Sequence, residues 1–202
     1  MSVSRLSKQS VLWGFPKQQT IWDQATATSS MDAIASTTLS ADQAGISFTG
    51  IPATYTHLQI RGILRNNNYS AGGAEQNLRL HFNGDTGTNY DDHYIVGNGS
   101  GAPTAASDLT ASNILVAYGI IPMSNQTASY YGGVVIDILD YANTTKYKTT
   151  RALAGDSVNA SGSYIFLSAG CWRSTAAITD ITLNPQNNLF TTYSQLTLYG
   201  IK

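Results

Sequence analysis

The sequence predicts an all-β protein, a single jelly-roll-like β-sandwich carrying an extended N-terminal arm. Three observations lead there. Short runs in which apolar and polar residues alternate recur along most of the chain, and a two-residue period puts successive side chains on opposite faces of a strand. Clusters of Gly, Asn and Pro separate these runs and supply turn chemistry. No segment holds a convincing helical period. The 202 residues suffice for one sandwich and a tail. We place the division so that residues 1–30 form the arm and residues 31–202 the sandwich.

The arm has neither a strand nor a helix period, and Gly14 and Pro16 interrupt any regular element. It carries Arg5, Lys8 and Lys17 against the single acid Asp23, and it holds Trp13 and Trp22, two of the three tryptophans. Leu12, Trp13, Phe15, Ile21 and Trp22 are therefore candidate anchors for a partner, since each large side chain gains a few kcal/mol on burial. The alternative is that the arm folds back on its own domain. Ala25–Ser30 reads as a linker.

From Met31 the pattern turns to β. Residues 33–40 alternate; Ile46–Phe48 is a short strand. In His57–Arg65, Leu58, Ile60, Gly62 and Leu64 take one face. Leu78, Leu80 and Phe82 face inward between Arg79 and His81, and Asn83-Gly84 turns the chain. Asp91–Val96 is a strand, followed by a Gly- and Ser-rich loop over Gly97–Ser107. Ile114–Ile121, Tyr130–Asp140 and Thr149–Leu153 come next. The last forty residues read as a meander of three consecutive strands, Tyr164–Trp172, Ile178–Leu183 and Ser194–Ile201. About ten strands result, the count of a sandwich.

Composition narrows the functional classes. Charged residues make up 11% of the chain and the net charge is −1, so nothing draws it to nucleic acid or to an anionic membrane. No apolar run is long enough to span a bilayer, and no signal-peptide core follows the basic N-terminus. Cys171 is the lone cysteine and reads as a small buried hydrophobe. His57, His81 and His93 lack the short spacing of a zinc site. Asn83, Asp85, Asn89, Asp91 and Asp92 offer hard oxygen atoms, but not in the order of a calcium loop, and read as turn residues. Gly-x-Ser-x-Gly is absent and Glu75 is the only glutamate. We assign no catalytic residue, metal or cofactor. The twelve tyrosines are more suggestive. Tyr69, Tyr90, Tyr94, Tyr130 and Tyr131 fall near loops, where they could stack on sugars, make subunit contacts or simply fill the sheet.

Several segments resemble structural proteins of tailed bacteriophages: Ile34–Ser40 (IASTTLS), Ile46–Arg61 (ISFTGIPATYTHLQIR), Leu78–Tyr90 (LRLHFNGDTGTNY), Gly97–Ser100 (GNGS), Gly170–Leu183 (GCWRSTAAITDITL) and Leu196–Lys202 (LTLYGIK). Ser4–Asp23 more loosely resembles the attachment segment ahead of such domains. The resemblance implies a virion component, assembled in the host cytoplasm, with no catalytic residue to carry over. It implies the major capsid protein or another virion protein as partner, and a homo-oligomer, a trimer at a three-fold axis. One domain with a short arm and no repetitive shaft fits a capsid decoration (cement) protein. The alternative is a tail- or head-fibre appendage that binds host surface glycans.

Overall fold

Twelve strands occupy the described part of the chain, residues 30–69, 75–158 and 163–202 of a computed structural model. In chain order they are β1 (Met31–Thr38), β2 (Ile46–Phe48), β3 (His57–Leu64), β4 (Glu75–Phe82), β5 (Tyr90–Gly97), β6 (Thr104–Ala111), β7 (Ile114–Pro122), β8 (Gly132–Leu139), β9 (Lys148–Gly155), β10 (Ile165–Trp172), β11 (Ile181–Pro185) and β12 (Gln195–Ile201). They form two antiparallel sheets. The larger has the order β1-β12-β3-β8-β9-β10-β5-β6 and the smaller β2-β11-β4-β7. Two antiparallel layers around a shared apolar core are the predicted sandwich. The eight-and-four split exceeds the eight strands of a plain jelly roll.

Alternation decides the layers. Leu58, Ile60 and Leu64 on β3, Ile136 and Ile138 on β8, Phe166 on β10 and Leu196 and Leu198 on β12 are buried on the inner face of the large sheet. Leu78, Leu80 and Phe82 on β4 and Ile181 and Leu183 on β11 are buried in the same core. Strand β7 crosses this interior in contact with β8, β9 and β10 as well as its partner β4. Gly62 is required by closeness: a Cβ there would strike the Gln195 carbonyl of neighbouring β12.

Two clusters brace the ends of the sandwich. Near one end, Trp172 lies beside Phe82 (5.6 Å between ring centroids) and stacks on Tyr90 (6.4 Å). Its indole N–H donates to Asp85 Oδ2 at 2.7 Å. At the other, Arg65 is buried just beyond β3 and donates to the carbonyl oxygens of Gln126 (2.7 Å), Thr127 (2.8 Å) and Tyr130 (3.0 Å). One guanidinium fork thus organises the β7–β8 connection.

Three expectations are corrected. The last forty residues are not a meander: β10 and β12 lie in the large sheet, separated by three other strands, while β11 lies in the small one between β2 and β4. Alternation marks a strand and its buried face but not its neighbour. The stretch 104–107, read as loop, begins β6, an edge strand exposed along nearly its whole length and so lacking an apolar period. Finally, Cys171 is half-buried rather than buried, its thiol pushed up by burial and by Asp91.

Candidate functional site

The site is built where β7 breaks its own ladder. Leu78 on β4 pairs with Ala117, yet Gln76 pairs with Ile121, so β7 spends four residues where β4 spends two. Such a bulge re-aims side chains. Gly119 makes it feasible with φ +63°, and its N–H is satisfied by Asn77 Oδ1 at 2.9 Å. The ring of Tyr164 packs where a Gly119 side chain would stand. The outcome is that Tyr118, 39% exposed, is presented at the surface. Its ring stacks on Tyr94 (5.7 Å, 18° between planes), and Tyr94 in turn leans on buried Phe166 (5.2 Å). Three aromatic rings thus run from the core to solvent.

A cavity of about 370 Å³ opens beside them, walled by Tyr94, Tyr118 and Tyr164 and rimmed by Asn98, Ser100 and Thr104. The rim is ordered by an Asx turn: Asn98 Oδ1 accepts from the Ser100 N–H (3.1 Å) and hydroxyl (2.9 Å). Among the described residues, no charged side chain lines the cavity. Tyr164 is held from behind, its N–H donating to Asp156 Oδ1 at 2.8 Å.

Asp156 yields a pH-dependent expectation. Burial pushes its carboxyl up to about 6, and Oδ2 is buried without a partner among the described residues. The folded state therefore prefers the protonated acid. Its contribution is fully present below the unfolded value near 4 and is lost as pH rises through about 6. Asp156→Asn keeps the acceptor for Tyr164 and removes the charge. We expect it to be more stable than the parent at pH 7, by about 1–2 kcal/mol once solvent screening at this half-buried position is discounted, with the difference vanishing towards pH 4. Thermal unfolding of both proteins across this range checks it; an unchanged difference from pH 4 to 7 contradicts it.

A second surface lies on the outer face of the large sheet. One cross-strand row runs from Ser36 through Thr197 and Arg61 to Val135, Leu153, Leu167, Ile95 and Ala105. Its first three members are polar and its last five apolar. Leu153 and Leu167 are 55% and 53% exposed, and Ile63 and Ile165 in the neighbouring row are also exposed. Each such half-exposed side chain forgoes roughly 1 kcal/mol or more, about half the value for full burial. A shallow apolar depression lies over Ile95, Ala105 and Leu167.

No family model, curated protein or solved structure matches the chain.

The sequence-derived candidates divide as follows. The anchors Leu12, Trp13, Phe15, Ile21 and Trp22 lie outside the described residues. Tyr94 belongs to the cavity wall. Tyr90 is corrected: it is fully buried, its hydroxyl donating to the Asp85 carbonyl at 2.9 Å, because position 90 opens β5 on the inward face. Tyr69 is 70% exposed, in the segment after β3. Tyr130 and Tyr131 are half-buried in the Arg65-organised connection, where the Tyr131 hydroxyl donates to the Thr192 carbonyl (3.0 Å). Tyr118 and Tyr164 were not singled out by sequence; the available signal was Gly119, a glycine inside a strand, which marks a bulge.

The acidic turn residues are largely engaged with protein donors; Asp92 Oδ2 accepts from the Leu115 N–H at 2.9 Å, while its Oδ1 is buried without a partner among the described residues. Asp85 accepts from Trp172, Asn89 and the Gly87 N–H, which together hold its carboxyl below the usual range, the indole contributing most. Asp91 pairs with Arg173 and accepts from the Thr110 N–H. His57 Nδ1 accepts the Asp140 N–H at 3.0 Å, and His81 and His93 lie on other strands. Among the described residues, no three His, Cys, Asp or Glu side chains are grouped to hold a metal ion, and no helix is long and apolar enough to cross a membrane.

Proposed function

We propose that the chain is a non-enzymatic structural protein of a tailed-phage virion, of the capsid-decorating kind, acting as a homotrimer whose N-terminal arm binds the major capsid protein or another virion protein. The observation that carries this reading is the apolar half of the outer row, Val135 to Ala105. A β-sheet face that leaves large aliphatic side chains in water is the kind of surface that subunit packing covers. The segment resemblance to phage structural proteins points the same way, as does a chain so poor in charge. The arm would add Trp13, Phe15 and Trp22 across a seam, and several copies bound together gain avidity without each contact being tight.

Deletion of residues 1–30 tests the anchoring. We expect full-length protein to co-sediment with undecorated capsids and the truncated chain to bind about a hundredfold more weakly, the scale of avidity lost with a tether. Truncated protein that coats the particles as tightly as the full chain would sink the idea.

A further inference from the structure

We infer that the tyrosine-walled cavity between β5, β6 and β7 is a binding site for an uncharged saccharide, a function separate from anchoring by the arm. Four observations converge on it. The bulge in β7 gives up ladder pairing and requires positive φ at Gly119, and its product is an exposed Tyr118 ring. That ring is not a loose surface side chain, because Tyr94 and Phe166 stack behind it and fix its plane. Asn98, Ser100 and Thr104 place amide and hydroxyl groups around the same opening. At about 370 Å³ the cavity has room for a short saccharide and lies within the range of small-molecule sites.

The chemistry selects the ligand. One face of a pyranose ring carries C–H bonds that pack on an aromatic ring, while its edge carries hydroxyls that need donors and acceptors. A fixed tyrosine beside neutral amides and hydroxyls matches both. Among the described residues, the lining has no cation to hold a phosphate, carboxylate or nucleic-acid backbone and no anion to hold an amine. The neighbouring cavity contrasts with it, lined by Arg79, Asp92 and Asp108. The sheet places the tyrosine cavity at the end of β5 where Gly97 pairs with Ile165. Residues 98–103 close it as a loop between β5 and β6.

The full chain, labelled with ¹⁵N, is titrated with neutral oligosaccharides ending in glucose, galactose, mannose or N-acetylglucosamine, and with sialyllactose as a charged control. At least one neutral probe is expected to give saturable amide shifts centred on Asn98, Ser100 and Gly119. Tyr118→Ala is expected to weaken that binding at least tenfold, and Tyr118→Trp to retain it, with thermal unfolding of both variants close to the parent. Because the arm lies elsewhere in the chain, deleting residues 1–30 should leave these shifts unchanged, so failure here and failure of the anchoring reading are distinguishable. The inference is overturned if no neutral probe shifts these amides, if sialyllactose binds there better than every neutral probe, or if a folded Tyr118→Ala protein binds as the parent does.

Discussion

Trp172→Ala is expected to lower the thermal midpoint by roughly 6–20 °C, taking a Trp→Ala loss of about 3–5 kcal/mol and about 2–4 °C per kcal/mol for a domain of this size. The side chain is nearly fully buried and packs on both Phe82 and Tyr90, which come from the small and the large sheet respectively. Its removal opens a void at a junction between layers, where backbone ladders on both sides resist collapse. Trp172→Phe separates packing from hydrogen bonding, since it keeps a ring but loses the N–H to Asp85. That N–H is the largest cause holding Asp85 below the ordinary carboxylate range. A depressed folded value stabilises the protein above the unfolded value and is lost as pH falls through the folded one. The phenylalanine variant should therefore lose less stability than the parent on acidification below about pH 4. Unfolding curves at pH 3 and pH 7 decide it. A midpoint within 2 °C of the parent for the alanine variant would show that the cluster does not brace the layers.

Arg65→Met is expected to destabilise the fold by about 3–5 kcal/mol, fewer than the sum for three charge-assisted hydrogen bonds because water reaches some of the freed carbonyls. Its guanidinium serves Gln126, Thr127 and Tyr130 together. Methionine fills much of the volume but leaves those oxygens without their donor. Arg65→Lys should recover only part of the loss, because an ammonium cannot reproduce the planar fork. Urea midpoints measure the energy, and limited proteolysis reports whether residues 123–131 become the first point of cleavage. Equal midpoints for methionine and arginine would mean that the connection holds itself.

What the sequence made legible was the local pattern. Leu58-Ile60-Leu64 and Leu78-Leu80-Phe82 identify buried faces correctly because burial on one side of a sheet forces a two-residue period. Strand β6 escaped because an edge exposed on both sides has no such period to show. The pairing of β12 with β1 and β3, and of β11 with β2 and β4, was not legible either. These contacts depend on where whole layers meet, and a strand's own residues carry little record of its neighbour. The cavity was half legible. Tyr94 stood out as a residue type and Gly97–Ser107 as a Gly- and Ser-rich loop, whereas Tyr118 read as one more residue in an apolar strand. Only the bulge at Gly119 separates it from core, and a bulge is a matter of register between two strands.

The pairing of the first described strand with the last has a mechanical consequence. Met31 pairs with Ile201, the Lys202 N–H donates to the Ser30 carbonyl at 3.1 Å, and Lys202 Nζ bridges to Asp32 at 2.8 Å. Among the described residues, strand β1 has β12 as its one neighbour in the sheet. If the proposed arm is loaded and the pull is directed away from the sheet, it acts on the open end of a single ladder. In that direction it would load the hydrogen bonds one pair at a time, as a zipper is opened, whereas a pull along the strand would load them together in shear. The Lys202–Asp32 bridge lies at that end of the ladder, beside the Met31–Ile201 pair. Loaded that way, the domain would lengthen by peeling β1 while the remaining strands of the large sheet keep their pairing, so that a pull on the proposed arm would be taken up at the rim of the sandwich before it reaches the core.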